Sequence, residues 1–109
     1  MLDNSAILSI EENGELNDVL NNFKVYPNPF NVNTTISYSL NEKLFTSIDI
    51  TSSSGVKIRS LVSEVKGVGS HRVTWDGTNE NNIGVAAGIY FVNIRSKNKN
   101  EIRKVLLMR

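Results

Sequence analysis

The chain has 109 residues, enough for one domain with a modest core and a tail. A net charge of +1 offers no electrostatic footprint for a nucleic acid or an anionic membrane. With no cysteine, disulfides, thiolate metal sites and thiol catalysis are excluded, and no apolar run approaches the roughly 20 residues of a membrane-spanning helix.

The opening "MLDNSAILSI" lacks the basic segment and longer apolar stretch of a signal peptide, so it reads as part of a longer protein. Residues 1–23 are polar and read as a flexible linker. Within them, "AILSI" is a candidate strand, either of a preceding domain or joining this one. Leu16, Val19, Leu20 and Phe23 have the spacing of a weak helix, which the asparagines and Gly14 oppose. "VYPNPFN" then holds both prolines of the chain. Pro27 and Pro29 fix φ and bias Tyr26 and Asn28 toward extended backbone, predicting a stiff boundary where the linker meets the fold. Tyr26 and Phe30 are candidate apolar anchors on either side, and "FKVYP" is a candidate strand.

From Thr34 the apolar period becomes two. Ile36, Tyr38 and Leu40 alternate with Thr35, Ser37 and Ser39 in "TTISYSL", and "FTSIDIT" repeats the pattern. "SSSG" is a turn, followed by "VKIRSLV", in which Leu61 falls out of phase and predicts a bulge or a strand end near Ser60. "HRVTW", "IYFVNIR" and "EIRKVLLM" are further strands, the first two separated by the polar loop "DGTNENNIGVAAG". Short strands at this spacing with almost no helix predict an all-β antiparallel sandwich of about seven strands.

The loop after Trp75 places Asp76, Thr78, Glu80 and Asn82 at alternate positions, but its fifth, sixth and twelfth positions fail the EF-hand template. Turn hydrogen bonding by Asp and Asn is the better reading. His71, the single histidine, lies in strand phase with Val73 and Trp75 and reads as structural. No nucleophile-elbow, zinc-helix or phosphate-loop motif occurs, so nothing supports catalysis, a metal or a cofactor. Tyr38, Trp75 and Tyr90 are in phase with core aliphatics rather than forming a sugar-stacking platform, whereas Phe91 falls on the other face. The C-terminal "IRKVLLMR" reads as a closing strand whose edge could also template strand addition or self-association.

The ordered set "YPNPFNVNTTISYSL", "IDITSSSGVKIRSLV", "GSHRVTWDGTNENNIGVAAGIYFVNIR" and "RKVLLMR" resembles the C-terminal sorting domains of the type IX secretion system, type A, over about residues 23–109. The segment from Trp75 to Phe91 also resembles the Ig-like domain of flagellar hook capping proteins. The sequence departs from the sorting-domain pattern at Val32, where many relatives carry proline. The resemblance implies an Ig-like sandwich over residues 24–109, preceded by a 1–23 linker from a cargo domain. It implies a non-enzymatic signal, exported through the periplasm to the cell surface or medium of a Bacteroidetes-type bacterium. The implied partners are an outer-membrane translocon and a sortase-like signal peptidase, which would cut the linker between about Ser5 and Asn22. No small-molecule substrate or nucleic acid is implied, and the domain is expected to be monomeric. Carried over by position, the motif residues are Tyr26, Pro27, Asn28 and Pro29; Gly88 and Tyr90; and Arg103, Lys104, Val105 and Leu106. A β-sandwich adhesion or carbohydrate-binding module, and a self-assembling structural cap, are the alternatives for a fold of this class.

Overall fold

In the computed structural model, which describes residues 19–109, the chain alternates between two antiparallel sheets. The "AILSI" strand and all but the end of the expected linker lie outside the described residues. Seven strands follow in order: β1 (Leu20–Tyr26), β2 (Thr34–Leu40), β3 (Leu44–Ser52), β4 (Lys57–Lys66), β5 (Gly69–Trp75), β6 (Gly88–Ser96) and β7 (Lys99–Leu107). One sheet has the order β1-β2-β5 and the other β4-β3-β6-β7. The all-β sandwich predicted from the period-two pattern is the architecture observed.

The alternation sets what each sheet buries. In β2, Thr34, Ile36, Tyr38 and Leu40 point inward, and in β6 Tyr90, Val92, Ile94 and Ser96 do so. Between the sheets they meet Ile48 and Ile50 of β3 and Val105 and Leu107 of β7. Trp75 is fully buried at one end of this core. Its ring lies between Phe30 (centroids 5.5 Å apart) and Tyr90 (5.2 Å, edge-on), geometries that add to simple burial.

Two irregularities explain residues that break the period. Ile48 pairs with Val62 but Asp49 with Ser60, so Leu61 is the extra residue of a bulge and β4 runs on to Lys66. In β1, Asn21 pairs with Ser39 and Lys24 with Ser37, leaving one extra residue between them where Asn22 has φ 55°. That bulge turns both Leu20 and Phe23 into the core, although residues three apart would face opposite sides of a regular strand. The spacing that suggests a weak helix is therefore that of a bulged strand, which begins three residues before "FKVYP".

Candidate functional site

The proline motif does not stand at the boundary before the fold. It connects β1 to β2 within the domain and bends at the surface through residues 27–29. The Tyr26–Pro27 and Asn28–Pro29 peptide bonds are both cis. The bend is tied down on two sides. The Thr34 hydroxyl donates to Pro27 O (2.8 Å), which satisfies a fully buried threonine. On the other side Asn28 and Phe30 meet β7. Of the two expected anchors only Phe30 serves: Tyr26 is 45% exposed, whereas Phe30 is 4% exposed against Trp75. Burying such a ring contributes about 2–3 kcal/mol.

The contact with β7 is made through main-chain groups. Asn28 Nδ2 donates to Lys104 O (2.8 Å), and Leu106 N–H donates to Asn28 Oδ1 (3.0 Å). Phe30 N–H donates to Leu106 O (3.0 Å), and Met108 N–H to Phe30 O (2.8 Å). A side-chain amide carries the same donor and acceptor as a peptide group, so Asn28 and Phe30 together imitate a short parallel strand beside β7. They satisfy four successive outward-facing groups of that strand. The edge that sequence suggests as a strand template is closed along Lys104–Met108.

The β6 residues Gly88 and Tyr90 join the same assembly through register, Gly88 opposite Leu107 and Tyr90 opposite Val105. Gly88 has φ 151°, and a Cβ there would meet nothing within 4 Å, so the backbone and not crowding calls for glycine. The Tyr90 hydroxyl donates to Ala86 O (2.5 Å). Val105 and Leu107 point into the core; Lys104 and Leu106 point outward. Arg103 lies over the Phe23 ring (4.6 Å) and pairs with Glu101 (3.3 Å), so it bridges β7 to β1. The ten residues carried over by resemblance thus fall on three neighbouring segments, with Asn28, Lys104 and Leu106 in direct contact.

Sequence reasoning misses two residues of this assembly. Thr34 reads as an ordinary strand residue, and the terminal Arg109 gives no local signal. Arg109 donates from Nε to Val85 O (2.9 Å) and from Nη2 to Gly77 O (2.8 Å), fastening the β5–β6 loop to the end of the chain.

That loop uses its oxygens internally. Arg59 of β4 donates to the Thr78 hydroxyl (2.6 Å), Asn79 O (2.9 Å) and Asn82 Oδ1 (3.2 Å), and Ser60 N–H donates to Glu80 (2.8 Å). Thr78 also donates to Asp76, and this bond, with Arg59 adding to it, holds the Asp76 carboxyl below its ordinary range. Among the described residues no group of three or more His, Asp or Glu could hold a metal ion. His71 stacks on Tyr38 (5.3 Å) with its Nε2 2.7 Å from Gly67 O. Tyr38, Trp75 and Tyr90 are all core residues and present no ring platform to solvent.

The family model described as "Secretion system C-terminal sorting domain" matches residues 24–108. Among solved structures the chain is similar to PorZ, an essential bacterial surface component of the type IX secretion system of Porphyromonas gingivalis. The TM-score is 0.60 and the identity 23%, covering 81% of this chain and 12% of PorZ. It is also similar to FlgD of Xanthomonas campestris, a hook-capping protein of flagellar assembly, with TM-score 0.55 and 20% identity over 81% of this chain and 64% of FlgD. At these identities the two structures show a shared fold, and the chain spans only part of each. No curated protein matches the chain.

Proposed function

This chain belongs to the secretion system C-terminal sorting domains, and on that premise we propose that its sandwich is a non-catalytic signal carrying a cargo protein across the outer membrane by the type IX system. The cargo reaches the translocon from the periplasm, and the domain is then removed by a sortase-like signal peptidase. The cut falls in the linker N-terminal to Leu20, because beyond that point the chain is paired with β2 and a protease cleft needs an extended, unpaired segment. Tyr26, Pro27, Asn28 and Pro29, with Gly88, Tyr90, Arg103, Lys104, Val105 and Leu106, build the signal.

One observation carries this reading. The two ends of the motif set, 76 residues apart at Asn28 and Lys104, are hydrogen-bonded into one structure. A signal read as a fold requires such convergence, whereas a linear address does not. Fusing residues 1–109 to a periplasm-exported fluorescent reporter, in a bacterium with a working type IX system, tests it. Reporter at the surface or in the medium with the intact tail, and retained when residues 104–109 are removed, is the expected result. Equal retention of both, beside an exported fusion to a native sorting domain, refutes it.

A further inference from the structure

A folded signal can be read at a strand edge or on a sheet face, and the two demand different partners. A strand adding to β7 between Lys104 and Met108 would first have to displace Asn28 and Phe30 from four hydrogen bonds. The outward face of β6 and β7 has no such cover. Across it Ile89 stands opposite Leu106, Phe91 opposite Lys104, and Asn93 opposite Ile102. Opposed side chains lie about 5 Å apart and successive ones on the same face about 7 Å, so these three rows form one continuous patch.

The patch is apolar and exposed: Ile89 is 44%, Ile102 58% and Leu106 36% accessible. It continues into a shallow hollow lined by Thr51, Ser53, Gly55, Phe91 and Ile102. Its charge is one-sided. Asp49 on this face is paired with Lys57 (3.7 Å), whereas the Lys104 ammonium makes no ion pair among the described residues. Along β2 and β5 the outer face of the other sheet has different chemistry. There Thr35, Ser37 and Ser39 stand opposite Thr74, Arg72 and Ser70, which gives a band of hydroxyls instead of an apolar patch.

We propose that the outer face of β6–β7, with Ile89, Phe91, Ile102 and Leu106 around Lys104, is the docking surface of the domain. Its occupant is a protein surface of the secretion machinery that is itself apolar and offers a carboxylate to Lys104. This rests on the sorting reading above and adds to it the place of contact. Apolar side chains supply the burial, and Lys104 among them selects the orientation, since an opposed carboxylate is favoured and a misplaced cation is repelled. The second cation of this face, Arg95, lies beyond the apolar rows and donates to Asn100 Oδ1 (2.9 Å).

The test uses the reporter fusion with Lys104→Glu and Ile102→Ser as separate variants, and Arg72→Glu on the hydroxyl face as the control. All three positions are exposed, and urea unfolding followed by the fluorescence of Trp75 establishes that each variant is folded. Each β7 variant is expected to lower surface-delivered reporter about thirtyfold, the loss of one contact of hot-spot size, while Arg72→Glu exports as the parent does. Export of the folded β7 variants at the parental level overturns the docking surface and leaves the sorting reading standing. So does an equal loss with Arg72→Glu. Failure of the parent fusion itself, beside an exported native sorting domain, overturns both. A dimer of the 109-residue chain in sedimentation that Lys104→Glu dissolves assigns the face to a second copy and overturns the stated partner.

Discussion

The side-chain amide of Asn28 donates to the carbonyl oxygen of Lys104, 76 residues later, at 2.8 Å, and its own oxygen accepts from Leu106 N–H. One side chain thereby stands in for a peptide group at the edge of β7. Asn28→Ala removes both bonds at a partly solvated site, so a loss of about 1–2 kcal/mol is expected in urea unfolding. Hydrogen exchange at Leu106 should accelerate in the same variant. Asn28→Asp keeps the acceptor for Leu106 but replaces the donor facing Lys104 with another acceptor. It should therefore not restore stability, and parental stability in Asn28→Asp would show that the bond to Lys104 contributes nothing.

The acid limb of stability should run partly through Asp76. Its carboxyl is held below the ordinary range by the Thr78 hydroxyl and then by Arg59. A folded-state value below the unfolded one contributes stability above the ordinary carboxylate range, and that stability is lost as pH falls through the folded value. Asp76→Asn should thus lower the urea midpoint at neutral pH. The gap from the parent should narrow as pH falls from neutral through and below the ordinary carboxylate range, as the folded carboxyl takes up its proton. A gap of constant size across that interval would mean that the charge on Asp76 is not its source. Solvent screening at this exposed loop keeps the effect small.

How far the sequence reaches is clearest at particular residues. Ile36, Tyr38 and Leu40 disclose β2 because regular pleating converts a period of two directly into one buried face. Leu61 discloses its bulge by breaking that period. Leu20 and Phe23 mislead for the same reason, because their spacing makes sense in a strand only once Asn22 has inserted a bulge. At the candidate site the residue types of the three motifs and their order are readable. Their contact is not, since Asn28 reaches Lys104 only after two sheets have packed. Arg109 is harder still: its partners are the carbonyls of Gly77 and Val85, and a carbonyl leaves no trace in a sequence.

Between the sheets, Thr46 and Ser96 stand opposite each other, both fully buried, with their hydroxyl oxygens 3.3 Å apart. Thr46 has a further acceptor in Leu44 O (3.3 Å). Thr46→Val is therefore expected to cost more than Ser96→Ala, about 2 against 1 kcal/mol, because it strands the Ser96 hydroxyl. The double variant should lose less than the sum, with a coupling of about 1 kcal/mol. Strict additivity in urea unfolding would show that the two hydroxyls do not act as a pair.

The final prediction concerns the latch between Arg109 and the β5–β6 loop. Gly77 has φ 76°, and a Cβ built there would lie 3.0 Å from Arg109 Nη2 and 3.4 Å from Leu107 Cδ2. Gly77→Ala should therefore carry two penalties, about 1–2 kcal/mol for the left-handed backbone and a further cost for pushing the guanidinium off Gly77 O. Arg109→Ala alone should cost about 1–2 kcal/mol through loss of the bonds to Gly77 O and Val85 O. Once that side chain is gone, the alanine at position 77 has only the backbone penalty and the Leu107 contact to meet. The cost of Gly77→Ala should thus be smaller in the Arg109→Ala background than in the parent, by about 1 kcal/mol in a double-mutant cycle. If the cost is unchanged, Arg109 does not hold the loop in solution; if it shrinks, the last residue of the chain is part of what fixes the loop beside Trp75.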